Sequence, residues 1–133
     1  MRIGGLLVTL LIALSACGCG QRPRLDVVPS IDDGGHVVFD IPRTDVNGLL
    51  GFRIEDETGK ALWHVRMSYD KGSRITYGVL PTGGNMAAQQ EVPTDGSPPP
   101  EIRGRRVRVK VDYQYDEFAA ASVDEFEKTV DVP

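Results

Sequence analysis

The chain is poor in the residue types that build compact chemical centres. Its 133 residues include two cysteines, two histidines and one tryptophan, and aromatics make up 7%. Cys17 and Cys19 stand close together near the amino end, while His36 and His64 lie well downstream. A closed tetrahedral metal site takes four soft or imidazole ligands, so two neighbouring thiols without further partners do not supply one. Long apolar runs are also lacking. The longest, Ile3–Ala16, falls short of the ~20 residues a spanning helix needs. G-x-S-x-G, H-E-x-x-H and a phosphate-cradling glycine loop are all missing, and with them the usual signals of hydrolase or nucleotide chemistry. No sequence pattern selects a nucleophile, a base or a carboxylate pair, so no enzyme is expected.

Basic charge is scarce as well. Fifteen Lys and Arg face 19 Asp and Glu, a formal charge of −4. Nucleic-acid phosphates attract basic surfaces, so an acidic chain is not expected to bind them.

What the chain does have begins at its first residues. Met1-Arg2 supplies a positive start, the apolar run follows, and small residues close it, which is the layout of a secretory signal. The closing residues Leu14, Ser15, Ala16 and Cys17 resemble the lipobox of bacterial lipoproteins. That resemblance implies a diacylglyceryl group on the Cys17 thiol, cleavage by signal peptidase II after Ala16, and N-acylation of the new terminus. The resulting lipid is covalent, and no separate cofactor is expected. Cys19 fits the motif less well, because Ala16 occupies the place of the leucine. It reads as an incidental thiol in the tether. The residue after Cys17 is Gly18 rather than Asp. In this family, that favours the outer membrane over inner-membrane retention. One acyl chain binds a membrane only marginally, whereas the family's three would make attachment effectively permanent. Loss of Arg2 with the leader would leave the mature chain one unit more acidic, with the lipid anchoring alone.

The expected organisation is a signal peptide at 1–16, a lipidated Gly- and Pro-containing tether at 17–24, and one β domain at 25–133. Beyond Leu25, apolar residues recur with period two between turn signals. Val37, Phe39 and Ile41 share a face, as do Leu50, Phe52 and Ile54, with Arg53 and Glu55 opposite. Trp63, Val65 and Met67 alternate with Leu62, His64 and Arg66, and Ile75, Tyr77 and Val79 form a further set. The clearest run places Val107, Val109, Val111, Tyr113 and Tyr115 against Arg106, Arg108, Lys110, Asp112 and Gln114. Such alternation marks half-buried antiparallel strands. Residues 116–128, rich in alanine and charge, could form a short helix, but Ser122 to Val132 reads better as a last strand pairing back on that run, with Phe126, Val130 and Val132 inward. The domain is all-β, a two-sheet antiparallel sandwich similar to immunoglobulin-like or fibronectin type III-like modules in strand count, length and a mid-strand Trp63. It lacks the paired core cysteines of antibody domains.

Three features are candidates for function or ligand binding. The connection Thr82–Gly104, stiffened by Pro98, Pro99 and Pro100, is long for a compact domain and reads as an edge segment plus a rigid crossing loop. It is a candidate surface for an envelope protein partner. Arg103, Arg105, Arg106 and Arg108, with Lys110, form the densest basic cluster, a candidate for glycans or anionic lipid headgroups. The competing account pairs them across strands with Glu125, Glu127 and Asp131. Asp32, Asp33, Asp56, Asp70 and Asp95 each stand in a separate turn and match no calcium-loop pattern, so they read as turn formers. The expected role is therefore a structural or protein-interaction role at the membrane, with glycan or lipid-headgroup binding as the alternative.

Overall fold

The computed structural model describes residues 23–117 and 120–133, so Leu14, Ser15, Ala16, Cys17 and Cys19 lie outside the described residues. The described residues form strands and connections, and no helix occurs among them. In chain order the strands are β1 (Arg24–Leu25), β2 (Val28–Ile31), β3 (Val37–Asp40), β4 (Arg43–Thr44) and β5 (Gly48–Glu55). They continue with β6 (Ala61–Asp70), β7 (Arg74–Thr76), β8 (Gln89–Val92), β9 (Arg106–Glu117) and β10 (Ala120–Asp131). All pairings are antiparallel. A five-stranded sheet has the order β10-β9-β5-β6-β8, a three-stranded sheet β2-β3-β7, and β1 pairs with β4 alone.

The alternation in β9 produces the expected burial. Val107, Val109, Val111 and Tyr113 are buried, and the intervening charged residues are exposed or half-buried. The strand finds its second partner in β10, from Ala120↔Glu117 to Asp131↔Arg106, and Val130 and Val132 are buried. The two larger sheets share one core. Phe39 of β3 meets Phe52 of β5 with ring centroids 5.3 Å apart, and Phe52 meets Trp63 of β6 at 6.0 Å. Tyr77 closes the aromatic series on Trp63 at 5.4 Å. Among the described residues, every member of the buried cluster lies between Val27 and Val132. A fully buried residue of the Val, Leu, Ile or Phe type contributes about 1.5–3 kcal/mol, and this apolar burial stands in for a disulfide.

Two bulges and a strand end correct three sequence expectations. Leu49, not Leu50, enters the core, because pairing slips between Leu49 and Gly51 against both neighbours of β5. A one-residue slip moves a side chain to the other face. Leu62 joins the core rather than the polar face, because Ile54 pairs with Trp63 while Glu55 pairs with Ala61, leaving Leu62 as the extra residue. Val79 is 55% exposed, because β7 ends at Thr76 and a turn follows, with the Val79 N–H donating to Thr76 O at 3.1 Å. The long connection contains β8 as an edge strand on β6, as its period-free sequence allowed.

The register also places the connections at two ends. At the end where Arg24 enters, β1 pairs with β4, Asn47 N–H reaches Gln114 O at 2.7 Å, and Arg43 Nη1 donates to Gly72 O at 2.7 Å. At the other end lie the Asp56–Lys60 turn, the segment Ile102–Arg105 and the carboxyl end, where Gly104 N–H reaches Val132 O at 3.1 Å.

Candidate interaction surface

The predicted basic cluster sits at the end remote from Arg24 and along the outer face of β9, and carboxylates meet it. Arg103 forms a two-pronged pair with Glu101, Nε–Oε1 at 2.9 Å and Nη2–Oε2 at 3.1 Å. Arg105 Nη1 donates to the Glu101 carbonyl at 3.3 Å. Arg106 pairs across the strands with Asp131 at 2.9 Å, and Arg108 with Glu127 at 3.1 Å. Asp131 is held below the usual carboxylate range by its hydrogen bond from Arg106. Glu125, the third expected partner, faces Asp112 in register instead. Burial first and the Asp112 charge second push its carboxyl above the usual range. The cluster is a solvated strand face interlaced with acids rather than a bare cationic patch.

Further inward on that face, Glu55 is buried among cations, a role its alternating position concealed. Its carboxylate lies 2.9 Å from Arg53 Nε, 3.4 Å from Lys110 Nζ and 3.8 Å from Arg108 Nη1. The Arg53 contact is an ion pair without hydrogen-bond alignment. His64 lies beside this group on β6, and its imidazole is pushed down, by burial first and by Arg53 second, so it is neutral at neutral pH. His36 instead sits in the β2–β3 turn, with Nδ1 3.2 Å from Asp32 Oδ1. The two histidines therefore serve separate local structures. No group of three potential metal ligands occurs among the described residues.

The turn aspartates are engaged by their own backbones. Asp56 Oδ1 accepts from Thr58 and Lys60 N–H, and Asp95 Oδ1 accepts from Ser97 N–H. Asp70 does more than the others. Only 3% exposed, it accepts the Gly72 N–H at 2.7 Å through Oδ1 and the Gly83 N–H at 3.1 Å through Oδ2. Two further bonds fix the returning chain, from Lys71 N–H to Gly83 O at 3.3 Å and from Asn85 N–H to Ser68 O at 2.7 Å. The Gly83-Gly84 pair is required by this close approach. A Cβ on Gly84 would lie 2.7 Å from Ser68 O, and one on Gly83 would lie 3.0 Å from Asp70 Oδ1.

Between the bond at Val79 and the clamp at Gly83 the chain shows apolar side chains to solvent. Leu80 is 42% exposed and Val79 more so, flanking an open groove of about 360 Å³ beside Arg74, Thr76 and Pro81. Beyond the clamp, Met86 is 72% exposed. The proline-rich half of the connection is braced too. Tyr77 Oη donates to Pro100 O at 2.7 Å, and the Gln90 amide donates to Pro93 O at 3.0 Å and Ser97 O at 2.9 Å while accepting from Trp63 Nε1 at 3.0 Å. A second open groove, of about 410 Å³, lies between His36, Tyr77, Pro98–Pro100 and Arg103. The sequence signal for all this was the unbroken "VLPTGGNM", whose apolar letters precede a glycine pair that only a tight clamp requires. No family model, no curated protein and no solved structure matches this chain, so its surfaces stand on their own chemistry.

Proposed function

We propose that the protein is a lipid-anchored component of the bacterial cell envelope whose β domain binds a protein partner. Residues 1–16 would be removed, Cys17 would carry the diacylglyceryl and N-acyl groups, and residues 17–24 would tether an immunoglobulin-like or fibronectin type III-like sandwich. The lipobox letters Leu14, Ser15 and Ala16 support that assignment, and Gly18 favours the outer membrane. The role is interaction rather than catalysis. One observation carries it: Val79 and Leu80 are exposed on a backbone pinned at both ends, by Thr76 and by the buried Asp70. Apolar side chains held ready in water mark contact sites, and pre-organisation lowers the ordering cost of binding. Glycan or anionic-headgroup binding through Arg103–Lys110 has less support, since these cations already meet carboxylates.

Cells given labelled palmitate test the anchor. Label should be incorporated, abolished by Cys17→Ser and kept in Cys19→Ser; label persisting in Cys17→Ser would reject it. Crosslinking in intact envelopes tests the surface. Val79→Asp with Leu80→Asp should remove a crosslinked partner that Arg105→Glu with Arg106→Glu retains, and the reverse pattern would favour the anionic-ligand alternative.

A further inference from the structure

The tether leaves the protein beside a distinct group of residues. Arg24 pairs with Thr44, the neighbouring Arg43 holds Gly72 O, Lys71 N–H holds Gly83 O, and Asn85 N–H holds Ser68 O. This unbroken series of contacts brings Tyr69, Lys71 and Met86 to the end from which the tether departs. Six residue steps separate Cys17 from Pro23, at most about 20 Å when fully extended. A chain lipidated at Cys17 therefore keeps this end within about 20 Å of the bilayer.

The tether end is equipped for an interface. Met86 is the most exposed of the large apolar residues described. Tyr69 is 39% exposed and held on a backbone with φ of 50°, in the left-handed region that favours glycine. Gly48 permits this, since a Cβ there would lie 2.8 Å from Tyr69 Cα. Among the described residues Arg24 and Lys71 enter no ion pair, whereas Asp26 and Asp40 nearby are held by Lys128 and Arg74. Asp45 and, on the β9–β10 hairpin that runs past Gly48 at this same end, Asp116 and Glu117 are further acids, so the contact is led by apolar and aromatic groups rather than by charge attraction.

We infer that Tyr69, Met86 and Lys71 make a second, noncovalent contact with the bilayer that holds the lipid, orienting the domain upright. A tyrosine ring suits the headgroup level, a methionine side chain the acyl boundary, and a lysine keeps its ammonium in water while its stem lies on apolar surface. Tethering raises the effective concentration, so a contact too weak to recruit a free domain operates once the lipid is in place. The inference rests on lipid attachment at Cys17 but is tested apart from it.

The test takes the chain from Gln21 onward, which keeps every core residue among those described, attached by an amino-terminal histidine tag to phosphatidylcholine vesicles bearing a nickel-chelating lipid. A water-confined oxidant converts Met86 to its sulfoxide, read by mass spectrometry, with buried Met67 as the internal reference. Oxidation of Met86 should slow several-fold on vesicles relative to the same chain on lipid-free nickel resin. A reporter methionine at Glu57→Met, in the turn at the far end, should be unaffected. Equal Met86 rates on vesicles and resin would overturn the contact. So would shielding that appears only when envelope proteins are added. Since the tag replaces the lipid, failure here leaves the palmitate experiment intact, and failure of palmitate labelling leaves this result intact.

Discussion

Asp70 Oδ2 accepts the backbone N–H of Gly83 at 3.1 Å, joining the end of β6 to the middle of the β7–β8 connection. With Gly72 on its other oxygen, the carboxylate closes two loops at once while almost wholly buried. Hydrogen bonds to a buried charge each exceed the neutral case, and removing the acceptor strands two donors. Asp70→Ala should cost about 2–3 kcal/mol, measured by urea unfolding. It should also open the Val79–Met86 segment to limited proteolysis before the core unfolds. Uncut segments in a destabilised variant would show that the clamp is not what holds this surface.

Gln90 satisfies three partners from one amide: Trp63 Nε1 and the carbonyls of Pro93 and Ser97. Leucine fills the same volume but leaves the indole N–H and both carbonyls without their protein partner. Gln90→Leu should lower stability by about 2 kcal/mol. Trp63 is the sole tryptophan, so its emission should report the changed surroundings directly. Wild-type stability and an unshifted emission would contradict the bracing role.

Glu55 sits with its side chain 5% exposed, among Arg53, Lys110 and Arg108. Breaking a buried pair by removing one partner is costly because the other charges remain, but here the cations are partly solvated, which reduces the cost. Glu55→Gln, which keeps the shape, should destabilise by about 2 kcal/mol at low salt. Added salt screens the remaining like charges, so the deficit should shrink as ionic strength rises. A deficit independent of salt would point to packing instead.

Most of the fold was legible because its strands obey period two wherever one face is wet. β9 declares itself in five alternating apolar residues, and β10 follows because β9 needs a partner for its backbone groups. Errors arose at Leu50, Leu62 and Val79, where a bulge or a strand end interrupts the period, and neither event has a local letter code. The pairing of Arg106 with Asp131 and of Arg108 with Glu127 was legible for the same reason as the strands. Asp70 was read correctly as a turn former, yet its second bond, to Gly83, spans residues that only the closed fold brings together. The apolar surface at Val79 and Leu80 was hidden by the assumption that an apolar residue in an alternating run points inward.

Asp112 and Glu125 are directly opposed on β9 and β10, a like-charge pair in the middle of a long hairpin. Asp112 is also crowded from the other side, since a Cβ on Gly51 would come within 2.9 Å of its Oδ2. Glu125 has its folded-state carboxyl raised above the ordinary value, by burial first and by Asp112 second. A raised acid pKa means that the ionised form is disfavoured by folding. The pair therefore costs stability at neutral pH, and that cost is relieved as pH falls through the folded-state value of Glu125. Glu125→Gln removes the repulsion, so its Tm should exceed the wild-type value at pH 7. Because wild-type Glu125 takes up a proton on acidification, the two melting curves should converge as pH drops toward 4. Gly51→Ala should enlarge the gap by pressing Asp112 away from β5. A Glu125→Gln advantage that persists unchanged into acid, where both chains are neutral at this position, would show that shape rather than charge sets the cost of the pair.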